Sequence, residues 1–443
     1  MKKPEPVPKI TLNTNENISV LLEIFKNTIL LKEINEIEKD YPYWEKFKYK
    51  TKHLAVNQKI YWAFLKDKRR STYQTITLSP GELFVFNYNT TPKILRQLHE
   101  FDLQLGGVFE GRDTIPEDEK NRYLISSIME EAIASSQLEG AVTTREMAKD
   151  MLRSERAPRN TSEQMIMNNY LTIKHISSLK HEPLSVDLIK GLHRSITKNT
   201  FKDNSAEGSF RDSNEIRVVD EITNEVFYHP PDFKLVEDLM KNVCDFANKS
   251  NTKEYFVHPV VKAIILHFFI GYIHPFKDGN GRTARALFYW HLIKSGYWLT
   301  EYMSISTSIL NARSQYAKAY LYTEYDENDL TYFLDYNLDA MEKALIGLKN
   351  YIKRKVDEKK QMHQLLDFEL YNNRQIDIIK EFINNPNKIM DINQPKNKFN
   401  VSYQTARADL LDLEKKGILN LRKMKNKFLF VKSDNFEAHL KKQ

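Results

Sequence analysis

Apolar positions along this chain recur mostly at helical spacing. Between Asn17 and Lys39, residues Ile18, Leu21, Leu22, Phe25, Ile29, Ile34 and Ile37 follow a three-to-four-residue period, and Asp40 to Pro42 stops it. The same reading gives helices over Glu117 to Leu138, Thr161 to Leu179, Ser185 to Thr197, Leu235 to Ala247, Val260 to Ile273, Leu310 to Tyr325 and Asp329 to Leu348. Ser185, just past Pro183, is the expected N-cap of its helix. Val260 to Ile273 is apolar enough to be buried. Strand-like runs are few. Tyr73 to Leu78 and Leu83 to Tyr88 read as a small hairpin whose Ser79-Pro80-Gly81-Glu82 junction suits a type II turn. Glu215 to Val219 and Val226 to Tyr228, separated by Asp220 to Glu225, read as a second. The pattern predicts a mainly α protein.

Lys349 to Lys360 is a charged helical stretch expected to link two domains, and past Asn372 the pattern changes. Arg374 to Ile383 and Val401 to Glu414 read as helices, followed by Gly417 and two β-like pieces, Ile418 to Arg422 and Lys427 to Val431. This order resembles a winged helix-turn-helix, with Ser402 capping the recognition helix, Gln404, Thr405 and Arg407 facing outward, and Lys423, Lys425 and Lys427 on the wing. Asp409 and Asp412 are expected to dilute its basic face, so DNA and a protein or dimer partner both remain open as its ligand. The expected division is 1–107 as a helical extension with a small hairpin, 108–348 as a helical core, 349–371 as a linker helix and 372–443 as the winged-helix domain.

At 443 residues the chain is too long for one hydrophobic core, and a 41% hydrophobic share supports globular domains. Cys244 is the only cysteine, which excludes an internal disulfide, and its amphipathic setting marks it as a small buried hydrophobe. The first residues lack an apolar signal region and no apolar run nears the length of a membrane span, so a cytoplasmic protein with no membrane partner is expected. The net charge is +7, and from Tyr351 onward 20 Lys/Arg face 12 Asp/Glu, which assigns the basicity to the tail. The aromatic and lysine mixture of Trp44 to Lys68 could bind single-stranded nucleic acid, but core packing is its simpler use.

Chemistry concentrates in one stretch, His274-Pro275-Phe276-Lys277-Asp278-Gly279-Asn280-Gly281-Arg282-Thr283-Ala284-Arg285. Pro275 and the two glycines must interrupt the preceding helix, and a new one is expected to begin near Thr283. Glycines let backbone N–H groups turn inward, and the following helix N-terminus adds its positive end, so the loop is suited to phosphate. Arg282 and Arg285, three apart, can offer forked donors from one face. Asp278 suits Mg²⁺, which takes one or two carboxylates and substrate phosphates. His274 can accept a proton from an attacking hydroxyl. His258 and His267 invite a metal reading, but Mg²⁺ favours oxygen ligands, so both are assigned structural roles, and His193 reads as a partly buried helix residue.

The stretch matches every defined position of HPFx(D/E)GNGRxxR, and the chain is identified on it as resembling the Fic family. The resemblance implies a Fic-type helical core in which His274 is the general base, Asp278 the metal ligand, Gly279 to Gly281 the anion hole, and Arg282 and Arg285 the triphosphate ligands. Ser135, Glu139 and Gly140 fill the family's inhibitory pattern (S/T)xxxE(G/N), which implies that Glu139 pairs with Arg285 and denies it to the γ-phosphate. The second hairpin then corresponds to the flap, whose Ile216, Arg217, Val218 and Val219 would pair with the backbone of a target. The family commonly pairs two tyrosines where this chain has Tyr316-Ala317, which leaves its nucleobase contact to Tyr316 alone. The implied reaction transfers AMP from ATP, with Mg²⁺, to a Ser, Thr or Tyr hydroxyl of a protein, self-modification and a homodimer being compatible with it. Two enzymatic alternatives use the same parts: removal of AMP with Glu139 orienting a water, and phosphate or phosphocholine transfer. A third, from another class, is a DNA-binding regulator whose core senses nucleotide.

Overall fold

The computed structural model describes residues 3–10, 19, 22, 26–54, 57–78, 84–106, 120–219, 225–363, 370–424 and 427–440. The mainly α expectation holds. Helix α1 (Thr28–Glu38) begins at Asn27, whose side chain accepts the Leu30 N–H, so the long helix expected from Asn17 is broken there by a cap. Helices α2 (Trp44–Lys50) and α3 (Gln58–Arg70) follow, then a hairpin of β1 (Gln74–Thr77) and β2 (Val85–Tyr88), paired Gln74 to Tyr88 through Thr77 to Val85. The junction called as a type II turn lies outside the described residues, as does Gly107. Helix α4 (Pro92–Phe101) starts on the Thr91 cap and passes into a π-helical turn ending at Gly106.

The centre of the molecule is α5 (Lys120–Leu138), α6 (Arg145–Ser154), α7 (Thr161–Ile176) and α8 (Val186–Thr197), the last capped by Ser185 as expected. Then come β3 (Val218–Val219) and β4 (Val226–Tyr228), α9 (Val236–Asn248), α10 (Pro259–Ile273) and α11 (Asn280–Lys294). The second hairpin is shorter than expected: Ile216 and Arg217 precede its first strand, which keeps only two residues and a register shift. Leu310 to Tyr325 was expected as one helix. The helix found there is α13 (Arg313–Tyr325), which starts three residues later because Ala312 is out of helical geometry, and a separate short helix, α12 (Ile305–Leu310), precedes it. Helix α14 (Thr331–His363) is continuous, so the linker helix expected at 349 is the second half of the last core helix. Residues 364–369 lie outside the description.

Four apolar clusters of described residues fix this layout, one of them packing α5, α6 and α7 together through Ile128, Ile133, Met151 and Ile166. The largest joins α4, α8 to α14 and the first hairpin, with α10 at its centre: Ile264, Leu266, Phe268, Phe269 and Ile270 are inaccessible to solvent. Burial of α10 on all sides explains its unbroken apolar sequence. A second cluster packs Trp44, Phe47, Tyr61 and Trp62 of α2 and α3 against Tyr322 and Tyr332 of the core. The aromatic stretch is therefore a packing surface, and the extension expected as one unit is shared between two clusters. Cys244 is buried in the main cluster, and burial pushes its thiol up to about 12.

The remaining cluster belongs to the C-terminal residues alone. Helix α15 (Asn373–Asn384) opens with a capping box between Asn372 and Gln375. After it come β5 (Ile389–Asp391), α16 (Asn393–Phe399), α17 (Tyr403–Lys415), β6 (Leu419–Met424) and β7 (Lys427–Lys432). The strands form one antiparallel sheet in the order β5-β7-β6. Strand β5 and helix α16 had no periodic signal. Both are too short to carry one. Helix α16 packs on α5 and α6, so the C-terminal unit sits against the central helices.

Candidate active site

The motif loop is the connection between α10 and α11. His274 caps α10 in the left-handed region, φ +50°, and Gly279 caps α11 at φ +79°. Helix α11 starts at Asn280, three residues earlier than expected, which puts Arg282 in its first turn and Arg285 in its second. Asn280 holds the loop closed: its Oδ1 accepts the Phe276 N–H at 2.9 Å and its Nδ2 donates to the Phe276 carbonyl at 2.8 Å. Thr283 Oγ1 donates to the Gly279 carbonyl at 2.9 Å.

His274 is half-buried, and its Nδ1 lies 3.3 Å from the Gly271 carbonyl. A carbonyl can only accept, so the proton resides on Nδ1 and Nε2 is left as an acceptor. Burial, reinforced by Arg211, depresses its pKa below the ordinary histidine value against the pull of the Gly271 carbonyl and of Glu139. A neutral imidazole with a free Nε2 is a competent base.

The Arg285 side chain is 4% exposed and is held by Ser135 of α5 and by Glu139, the residue that follows α5. Its Nε donates to Ser135 Oγ at 2.8 Å, and its Nη2 donates to the Ser135 carbonyl at 2.9 Å and to Glu139 Oε1 at 2.9 Å. Burial pushes the Glu139 carboxyl upward, but Arg285 and Arg282 together hold it below the ordinary glutamate value. Glu139 lies directly over the loop, since a Cβ on Gly281 would stand 2.2 Å from its Oε1. Gly140, at φ +89°, ends α5 where a glycine end was expected.

Arg282 presents the opposite situation. It is inaccessible to solvent, its Nη1 donates to the Ile196 carbonyl at 3.3 Å, and its Nε and Nη2 have no hydrogen-bond partner. The nearest carboxylate oxygen, Asp278 Oδ2, stands 3.7 Å away. Buried guanidinium donors with no protein acceptor, in the first turn of a helix, suit an anion. Asp278 is 61% exposed and its Oδ1 accepts the Gly279 N–H at 2.6 Å. That leaves the other oxygen turned toward the place an anion and Mg²⁺ would share.

Two residues that sequence reasoning passed over hold this loop. His193 stacks on Phe276 with ring centroids 3.7 Å apart, its Nε2 donates to the Asp278 carbonyl at 2.8 Å, and its Nδ1 accepts the Gly208 N–H at 2.9 Å. Both nitrogens are committed to one tautomer, and burial pushes the ring down to about 4. Arg211 donates its backbone N–H to the Pro275 carbonyl at 2.8 Å and its Nε to the His274 carbonyl at 2.9 Å. Its Nη2 also reaches the Pro231 carbonyl at the foot of the second hairpin. The one signal available for it was its place after Gly208, whose φ of +73° marks a forced turn.

The remaining residues fall as follows. Tyr316 is half-buried and its hydroxyl is bonded to His267 Nε2 at 2.7 Å, so His267 is a structural partner, as assigned, and is pushed by burial down to about 3. His258 caps α10 through Nδ1 and the Val260 N–H at 3.2 Å. Val218 and Val219 form β3, while Ile216 and Arg217 lie in the segment leading to it. In the C-terminal unit Ser402 caps α17, Gln404 and Arg407 are exposed and Thr405 is half-buried. Asp409 does not dilute that face, since it is turned inward to Arg374 Nε at 2.6 Å and Asn372 at 2.8 Å. Asp412 stays partly exposed there, bonded to Gln375 at 2.7 Å and to Lys416. Lys425 lies outside the described residues. Among the described residues no helix is long and apolar enough to cross a membrane, and no group of three His, Cys, Asp or Glu gathers as a metal site.

Residues 183–292 match the Fic/DOC family, a span that runs from before α8 into the motif helix α11. The chain is 25% identical over 238 residues to protein adenylyltransferase fic-1 of Caenorhabditis elegans, covering 51% of this chain and 44% of that protein. It is 24% identical over 307 residues to protein adenylyltransferase Fic of Drosophila melanogaster, covering 64% of this chain and 57% of the relative. The chain thus spans about half the length of these curated relatives. Among solved structures, a Fic family protein from Desulfovibrio desulfuricans covers 78% of this chain and 97% of its own, at 18% identity and a TM-score of 0.48.

Proposed function

Because the chain carries a Fic/DOC domain at residues 183–292, we propose that it transfers AMP from ATP to a Ser, Thr or Tyr hydroxyl of a protein. In this reading His274 Nε2 takes the hydroxyl proton, the freed oxygen attacks the α-phosphorus, and the bond to pyrophosphate breaks as pyrophosphate leaves. The loop N–H groups and Arg282 hold the phosphates, and Asn280 keeps the loop in the shape that presents them. Mg²⁺, held by Asp278, would neutralise phosphate charge when bound. The family relatives named adenylyltransferases support the reaction, and the orphaned donors of Arg282 support the anion.

The observation that carries the reading is the three-point capture of Arg285 by Ser135 and Glu139. An arginine so engaged is not available to a γ-phosphate, and a carboxylate at Gly281 repels one. Glu139 therefore keeps the resting protein inhibited. Labelled transfer tests this with α-labelled and γ-labelled ATP on the wild type, Glu139→Gly and Glu139→Gly/His274→Ala. The α-label is expected on protein only after Glu139 is replaced and only with His274 present. Absence of α-label from every variant would overturn the proposal, and γ-label transfer would replace it with phosphorylation.

For the C-terminal unit we infer DNA contact through α17 and the β6-β7 wing. Gln404, Arg407, Arg422, Lys423 and Lys427 are exposed there, Asp409 is turned inward to Arg374, and the partly exposed Asp412 is paired with Lys416. Duplex binding that weakens steeply with salt and is reduced by Arg407→Ala is the expected result.

A further inference from the structure

The seam where the C-terminal unit meets the central helices contains three confluent cavities. The largest, about 1030 Å³, runs along α5 between α6, α12 and α14. Two smaller ones, about 200 Å³ each, open between α6 or α5 and the C-terminal helices α15 and α16. Arg153, near the end of α6, lines all three. None of residues 274–285 lines any of them, so the seam is separate from the motif loop. The face of α5 that floors the large cavity carries Ser126, Glu130, Ile133 and Gln137, whereas Ser135 bonds Arg285 on the other side.

The charges at the seam do not close among themselves. Glu130 is taken by Arg145 and Lys149 together. Glu381 is taken by Lys388 at 2.7 Å and Lys398 at 2.6 Å. Arg153 is half-buried and its guanidinium has neither an ion pair nor a hydrogen bond among the described residues, only its carbonyl being used, by Asn397 Nδ2 at 2.6 Å. Lys343, on the α14 wall of the large cavity, has no ion pair either. Burial holds Lys149 below the ordinary lysine value despite Glu130, and Arg153 adds to that depression. A half-buried forked donor with no acceptor is costly unless an anion completes it. The large cavity is at the upper end of the size range of small-molecule sites, and Tyr302 and Tyr351 give it aromatic walls.

We propose that this seam is a second ligand site, taking a nucleotide-sized phosphorylated anion whose phosphates are clamped by Arg153 and Lys343. A ligand there would touch α5, the helix that carries the Arg285 clamp, and the docked face of the C-terminal unit at once.

Calorimetric titration of the full chain with inorganic tripolyphosphate tests it. The parent for comparison is the Arg282→Ala chain, in which the motif loop has lost its buried phosphate donor. One site is expected there, weakened about tenfold or more by Arg153→Gln and largely retained by Arg153→Lys. Lys343→Gln, an exposed change with no structural consequence, is expected to weaken the same site by at least about threefold. If the Arg282→Ala chain binds no tripolyphosphate, or if Arg153→Gln and Lys343→Gln bind as tightly as their parent, the seam is not an anion site.

Discussion

Arg282 and Arg285 stand three residues apart on one helix and yet differ in kind. Arg285 has its Nε and Nη2 engaged by Ser135 and Glu139, and Arg282 has its buried Nε and Nη2 without a hydrogen-bond partner. Replacing Glu139 by glycine should therefore raise AMP transfer by about 100-fold, the value of one well-placed donor to a charged transition state. Replacing His274 by alanine in that background should lower it by about 10² to 10⁴. Initial rates of labelled transfer measure both. The depressed pKa of His274 sets the pH profile: the imidazole is already neutral at pH 7. Activity of Glu139→Gly is thus expected to be level through neutrality and to fall only on an acid limb below the ordinary histidine value.

His193 gives the corresponding stability prediction. Its pKa in the folded protein is about 4, below the ordinary 6.5. The unfolded chain therefore binds the proton first, and the stabilisation is present above pH 6.5 and lost as pH falls toward 4. The shift corresponds to on the order of 3 kcal/mol. Melting temperature should drop across that interval in the wild type and drop less in His193→Gln, which keeps a donor toward the Asp278 carbonyl.

The motif loop, as an element, is held from three sides. Asn280 closes it from within, His193 of α8 supports its floor, and Arg211 ties its first two carbonyls to the foot of the second hairpin. Asn280→Ala leaves a buried N–H and C=O of Phe276 without partners and is expected to cost about 1–3 kcal/mol. Urea unfolding measures that loss. The same variant should also transfer label more slowly, because the loop amides no longer converge. The pattern HPFx(D/E)GNGRxxR made the loop legible without any structure, since each of its residues has a local reason for its type. His193 and Arg211 were not legible, because a histidine on an amphipathic helix and an arginine after a glycine turn acquire their partners 85 and 63 residues away.

The N-terminal extension is welded to the rest of the molecule by a buried polar network. Lys66 lies 3.0 Å from Asp326 and 3.6 Å from Asp329, and Tyr41 and Tyr73 donate to Asp329 at 2.7 Å each. Strand β2 joins the same place, Asn87 accepting the Leu330 N–H at 2.7 Å. Lys66→Ala strands two buried carboxylates and should destabilise the chain by about 3–5 kcal/mol, read from a chemical denaturation midpoint. That loss would exceed the effect of removing any exposed pair, such as Lys39 with Glu36.

The sequence by itself determined the helical class, the place and chemistry of the motif loop, and the separate C-terminal unit. Each of these rests on local periodicity, a dense motif or a cap, which are properties of neighbouring residues. Tertiary structure alone decided that α14 runs unbroken through the expected linker, that Asp409 faces inward, and that the Arg153 guanidinium lines three cavities with no ion pair or hydrogen bond among the described residues. Those outcomes depend on which surfaces distant segments bring together, and a charge read along the chain carries no record of the side of the helix on which its partner will stand.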